Sequence, residues 1–136
     1  MDRLVTLQGI DAQEKRFADA FASLDIRLAS DLYHPEVVYL SPTTRLFGEP
    51  RAIEGVEATL DFIQMIIAGC RNIEYRLDER AVIPGATAAY TRIMFDWDAD
   101  KGPRLRSEYV VVYRYRDGLI ARQELYYDPS APPGRV

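Results

Sequence analysis

Arg92 lies between Tyr90 and Met94 on one face of an alternating run, residues 86–97. On the cavity side of a strand, such an arginine would offer planar donors to a carboxylate or an enolate oxygen. A guanidinium held inside needs a partner, because an isolated buried charge is costly; Gln123, Tyr109 or a helix carboxylate could supply one. Tyrosine is the other chemically useful type. Tyr39, Tyr90, Tyr109, Tyr113 and Tyr127 combine apolar rings with hydroxyls that require a partner or a polar ligand. Of these, Tyr90 and Tyr109 are the expected proton-handling neighbours of Arg92. The other reactive types carry less. His34, the single histidine, precedes Pro35 and reads as a surface residue between a helix and a strand. Asp96, Asp98 and Asp100 alternate like the opening of a calcium loop, but Lys101 and Ser107 stand where that loop needs glycine and glutamate. Cys70 has no second cysteine to pair with, and no zinc-binding, phosphate-loop or nucleophile-elbow motif occurs. No metal and no cofactor is expected.

The elements that would hold these groups follow from periodicity. Asp11 and Glu14 have capping-box spacing, which predicts a helix start at residue 11. Phe17, Phe21 and Leu24 continue it as an apolar stripe. Asp25 predicts a second, short helix that must end before Pro35, followed by a strand over residues 37–40 and a loop over 41–50. A long helix is predicted over residues 53–68, with Val56, Leu60, Ile63 and Ile67 on its core side and Gly69 as its stop. From Asn72 the period becomes alternating: Ile73, Tyr75 and Leu77 mark one strand, and residues 86–97 the next.

Residues 107–115 and 119–127 flank Arg116, Asp117 and Gly118 and read as a long hairpin. A two-residue turn at Asp117 and Gly118 would scatter charge over both faces. A three-residue loop with Gly118 left-handed gathers Glu108, Arg114, Arg122 and Glu124 on one face. The opposite face, Tyr109, Val111 and Tyr113 beside Leu125, Gln123 and Ala121, is then free of formal charge and suits a ligand cavity. The order of helices first and long strands afterwards indicates an α+β layer.

At 136 residues the chain fits one domain, here residues 11–128, with an N-terminal extension over 1–10 and a flexible tail over 129–136. No segment has the apolar length of a membrane span. The first residues lack the pattern of a secretory signal, so a cytoplasmic location is expected. A net charge of −4 excludes a nucleic-acid surface, which needs clustered basic excess. A small-molecule ligand and a second copy of the chain remain as partners. Val110, Val112 and Tyr126 among the charges of the outer sheet face suit a two-fold interface, so a homodimer is expected.

The order of these elements resembles the nuclear transport factor 2-like superfamily, in particular its SnoaL-like and ketosteroid-isomerase-like proteins. Residues 16–25 look like the family's first helix, 32–42 like its second helix and first strand, 48–55 like the lead-in to its long helix, and 117–128 like its closing strand. The resemblance implies a cone-shaped, curved antiparallel sheet wrapped around three helices of the N-terminal half and enclosing a pocket. It also implies pocket positions at Phe17, Tyr39, Ser41, Ile63 and Met94, and on the hairpin at Val111, Tyr113, Gln123, Leu125 and Tyr127. Ser41, Phe17 and Val111 match the base, tyrosine and aspartate of ketosteroid isomerases, so that catalytic set is absent. Arg92 looks like the arginine of limonene-epoxide-hydrolase-like members, whose aspartates fall on Met94 and Leu125. SnoaL-type polyketide cyclases rely on a pocket aspartate, for which Asp128 is the candidate if the chain end turns inward. The implied function is a pocket for a small, largely apolar, oxygen-bearing molecule. It would serve either lyase, isomerase or cyclase chemistry by Arg92, Tyr90, Tyr109 and Asp128, or ligand binding alone.

Overall fold

The computed structural model describes residues 5–85 and 87–136. Residues 1–4 of the expected extension and Ala86, expected at the start of a strand, lie outside the described residues. Helix α1 spans Leu7–Ala22, a 3-10 helix spans Ile26–Leu32, and strand β1 spans Tyr33–Leu40. A single helical turn, α2 (Thr43–Leu46), and a short strand, β2 (Ala52–Glu54), lead into α3 (Val56–Ala68). Four strands complete the main sheet: β3 (Arg71–Val82), β4 (Ala88–Asp98), β5 (Arg104–Arg116) and β6 (Leu119–Tyr126). A two-residue strand, β7 (Gly134–Arg135), follows. The sheet order is β2-β1-β6-β5-β4-β3, with β7 paired to β5.

Helix α1 begins four residues before the capping-box position. Thr6 is the N-cap, its Oγ1 accepting from the Gly9 N–H at 3.0 Å. Asp11 therefore sits inside the helix and pairs with Arg80 on β3 at 2.8 Å. The earlier start adds Ile10 to the stripe, so Ile10, Glu14, Phe17 and Phe21 all lie on the buried face. Asp25 caps the 3-10 helix by accepting from the Arg27 N–H. β1 is longer than its apolar run suggests, because Tyr33 already pairs with Ile120 of β6.

The sheet is mixed: β3 to β6 form an antiparallel meander, while β1 runs parallel to β6. The expected all-antiparallel sheet is corrected at this one pair. β1 comes from the first half of the chain and enters beside the last long strand rather than at the far edge. The hairpin differs too. Asp117 and Gly118, at φ of 55° and 77°, make a two-residue turn, with Arg116 opposite Leu119 and Tyr115 opposite Ile120. The register then shifts, Arg114 pairing with Arg122, Tyr113 with Gln123 and Val111 with Leu125. Ala121 is thus the extra residue of a β-bulge. It restores the face parity expected from the charge pattern, with partners two positions from those a three-residue loop would give. The predicted flexible tail is corrected at its end, where β7 pairs Leu105 with Arg135 and Arg106 with Gly134, and Val136 N–H donates to Arg104 O.

Gly55 joins β2 to α3 at φ 92° and ψ 150°, a region that side chains with a Cβ avoid, and its N–H donates to Val37 O at 2.8 Å. A Cβ placed there would touch nothing within 4 Å, so strain alone opposes substitution. Gly55→Ala is expected to lower unfolding stability by about 1–3 kcal/mol in urea titrations, whereas Gly69→Ala, at φ −83°, should change it far less. Equal losses at the two positions would refute the strain assignment.

Candidate functional site

The concave side of the sheet, α1 and α3 enclose a cavity of about 200 Å³. That is somewhat more than an engineered apolar cavity of ~150 Å³ that admits benzene. Its apolar end is built by Phe21 of α1, Ile66 and Ile67 of α3, and Phe95 and Trp97 of β4. The rings of Phe21 and Phe95 meet edge-on at 5.9 Å, and Phe95 tilts against Trp97 at 5.7 Å. Its polar groups come from Tyr39 and Ser41 at the end of β1, Tyr109 of β5, Gln123 of β6, and Tyr127 just beyond it.

Each polar group is held by its neighbours. Ser41 is the hydrogen-bonding neighbour of both Tyr39 and Tyr127, and its Oγ accepts from the Thr43 N–H at 3.1 Å. The rings of Tyr109 and Tyr127 lie 6.4 Å apart. Gln123 accepts the Tyr33 hydroxyl at Oε1, 2.6 Å away, which leaves its amide N–H groups as the donors for the cavity. Burial pushes the Tyr39 and Tyr109 hydroxyls far above their ordinary range. They remain protonated, so this wall offers hydrogen-bond donors and no base.

Beside the cavity lies a second polar cluster that the residue pattern concealed. Glu14 on α1 is buried, and its two oxygens accept from Tyr75 Oη of β3 at 2.7 Å and Tyr113 Oη of β5 at 2.9 Å. The adjacent Gln13 accepts from Tyr115 at 2.7 Å. Among the described residues no cation pairs with Glu14. Desolvation dominates and raises the carboxyl from 4.5 to about 7, against the opposing effect of the hydrogen bonds from Tyr75 and Tyr113. Thr91 Oγ1 and Gln13 Nε2 are buried beside this carboxyl, with no other hydrogen-bond partner among the described residues.

The expected site residues separate into three groups. Phe17, Tyr39, Ser41, Ile63 and Tyr109 line the cavity, as do Val111, Gln123, Leu125 and Tyr127. Tyr113 is in the core instead, with its hydroxyl on Glu14. Arg92, Tyr90 and Met94 are corrected: they face away from the cavity. β4 turns Thr91, Ile93 and Phe95 inward as its buried positions, and Arg92 lies on the outer surface, reaching Glu108 at 3.2 Å and Glu79 at 3.5 Å. Both faces of β4 carry large side chains, so periodicity could not choose between them; the neutral triplet Ile93, Phe95 and Trp97 was the better core face. Asp128 is corrected as well. It is exposed and accepts from the Ser130 N–H at 2.9 Å and hydroxyl at 2.6 Å, closing a local turn rather than entering the cavity.

Glu14 itself was legible only as a capping residue. The signal that places it inside is the spacing of Ile10, Glu14, Phe17 and Phe21, which keeps one helix face once the helix is started at Leu7.

A sequence profile described as a SnoaL-like domain matches residues 15–123. The chain belongs to the SnoaL-like domain family. Comparison with curated proteins gave no match. The fold is that of the NTF2-like proteins. An NTF2-like protein from Anabaena variabilis superposes with a TM-score of 0.75 at 13% identity, over 90% of its own chain and 92% of this one. AusH from Aspergillus nidulans gives 0.73 at 20% identity, over 88% of its chain and 93% of this one. A protein of ketosteroid-isomerase-like fold from Catenulispora acidiphila, solved with trimethylamine, gives 0.71 at 12% identity, over 89% of its chain and 93% of this one.

The raised carboxyl makes stability depend on pH with a definite sign. Folded Glu14 holds its proton up to about 7 while the unfolded chain releases it near 4.5, so its contribution is full below 4.5 and is lost as pH rises through 7. The difference amounts to about 3 kcal/mol. Glu14→Gln, which mimics the protonated acid, should therefore gain on the parent protein by up to about 3 kcal/mol between pH 4.5 and 8 in paired urea titrations. A stability difference that stays flat over that range would show that Glu14 does not titrate abnormally.

Proposed function

We propose that the cavity binds a small, largely apolar molecule with its oxygen against Tyr39, Tyr109, Tyr127 and Gln123, and that the chemistry served there is of the isomerase, dehydratase or cyclase type. The single observation that carries this is the polarity of the lining: an aromatic and aliphatic chamber whose hydrogen-bonding groups are neutral donors. Donors of this kind stabilise negative charge that develops on a substrate oxygen when a neighbouring carbon loses a proton. They suit a carbonyl compound of about one ring in size. Membership of the SnoaL-like family agrees with this class.

A second reading, binding without chemistry, is favoured by a specific feature: among the described residues, no carboxylate or imidazole lines the cavity. One experiment separates the two. Acetophenone is expected to bind, and in heavy water its methyl hydrogens should exchange faster with the protein than with buffer at the same pH, followed by proton NMR. Binding without faster exchange would leave the binding reading and remove the enzymatic one. Tyr109→Phe should weaken acetophenone binding about 5- to 10-fold through one lost hydrogen bond. Ile63→Trp, which fills the chamber, should abolish binding while leaving the circular-dichroism spectrum unchanged.

We also propose a homodimer formed through the outer sheet face, where Val110 lies opposite Tyr126 and Tyr126 is 48% exposed. Sedimentation velocity at micromolar concentrations should give a species of twice the 15.5 kDa chain mass, and Tyr126→Glu should halve it. A single monomer peak for the parent chain would remove the dimer.

A further inference from the structure

Glu14 is the buried titratable group that the donor wall does not use. A carboxyl only 2% exposed, with two tyrosine hydroxyls on it and no cation, is expensive to keep ionised. The groups that face it can be named element by element. α1 supplies Gln13, β3 supplies Tyr75, β4 supplies Thr91 and β5 supplies Tyr113; the charged residues of α1 in ion pairs, Asp11 with Arg80, Lys15 with Asp19 and Arg16 with Asp31, are exposed at the surface. Tyr75 is shared with the cavity wall. Burial is the main cause that raises the Tyr33 and Tyr109 hydroxyls, and the Glu14 charge adds to it beyond its own hydrogen bonds.

Resting on the proposed ligand-binding role of the cavity, we infer that Glu14 is the proton-holding positioning residue of that cavity, taking up one proton when a negatively charged oxygen is held at the tyrosine wall and releasing it when the oxygen leaves. A negative oxygen at the tyrosine wall would be repelled by this carboxylate, whose charge is already felt at Tyr109. The carboxyl relieves this by protonating. Its O–H then needs an acceptor, and the buried Thr91 hydroxyl, which has no partner besides this carboxyl among the described residues, stands beside it. The acid form also gives up one of its acceptor positions, so Tyr75 or Tyr113 is freed to donate elsewhere. The proton balance is simple: solvent supplies H⁺ to the carboxylate, and no covalent bond of the ligand is made or broken.

The test uses two probes of the same shape, benzoate and acetophenone, which differ by one charge. Titration calorimetry of the full chain at pH 7.5 in phosphate and in Tris, buffers of different ionisation heat, counts protons taken up per ligand bound. Uptake is expected for benzoate and not for acetophenone, with benzoate affinity falling up to tenfold per pH unit as the pH is raised further. Glu14→Gln should bind both probes, take up no proton with either, and show a benzoate affinity independent of pH. Benzoate binding without proton uptake by the parent chain would overturn this inference alone, as would uptake that persists in Glu14→Gln. If neither probe binds, the ligand-site reading falls and this inference falls with it. Because Glu14→Gln keeps the shape of the side chain and mimics its protonated form, a purely structural role for the carboxyl would leave the proton count unchanged.

Discussion

A carboxyl group without a counter-ion, set between a helix and a sheet, is the constraint around which this domain is organised. Glu14 ties α1 to β3 and β5 through Tyr75 and Tyr113, and the neighbouring Gln13 extends the tie to Tyr115. Hydrogen bonds of this kind give little net stability when both partners could be solvated, yet become costly to break once buried. The consequence is directional: α1 can sit on the sheet in one rotation about its axis, because any other leaves tyrosine hydroxyls and a carboxyl without partners. That rotation is what turns Phe17 and Phe21 toward the chamber.

The chamber has a polar end for a related reason. β1 enters parallel to β6, which sets Tyr39 opposite Gln123, while the antiparallel side of β6 sets Tyr113 opposite the same Gln123. One amide is therefore flanked by tyrosines from both neighbouring strands, and a third, Tyr33, fixes its orientation. The bulge at Ala121 makes this possible. Without an extra residue after the Asp117–Gly118 turn, every later side chain of β6 would face the opposite side, exchanging Gln123 and Leu125 for Arg122 and Glu124.

Much of this architecture was legible in the residue pattern, and the places where it was not have physical causes. The helices and the long strands follow from apolar spacing, and the hairpin's inner face follows from where the charges gather. The hairpin's partner positions did not follow, because a two-residue turn combined with a bulge has the same parity as a three-residue loop. β4 was assigned the wrong inner face because Tyr90, Arg92 and Met94 alternate as cleanly as Thr91, Ile93 and Phe95; the outward choice is settled by the carboxylates Glu79 and Glu108 that meet Arg92 across the neighbouring strands. Glu14 was hidden by a rule that is sound on average, since an acidic residue three positions after an aspartate usually marks a helix start. Thr6 had already taken that role.

The parallel pairing of β1 with β6 also bears on how the chain reaches this shape. Tyr33 and Gln123 are 90 residues apart, whereas the β3–β6 meander is built from neighbouring strands. Closing so long a loop costs entropy before any contact repays it, so the meander is expected to form first and β1 to dock late. The amide at the heart of the chamber would then acquire its tyrosine neighbours in the closing stage of folding, and a nascent chain would lack a finished ligand site until its last long strand had been made.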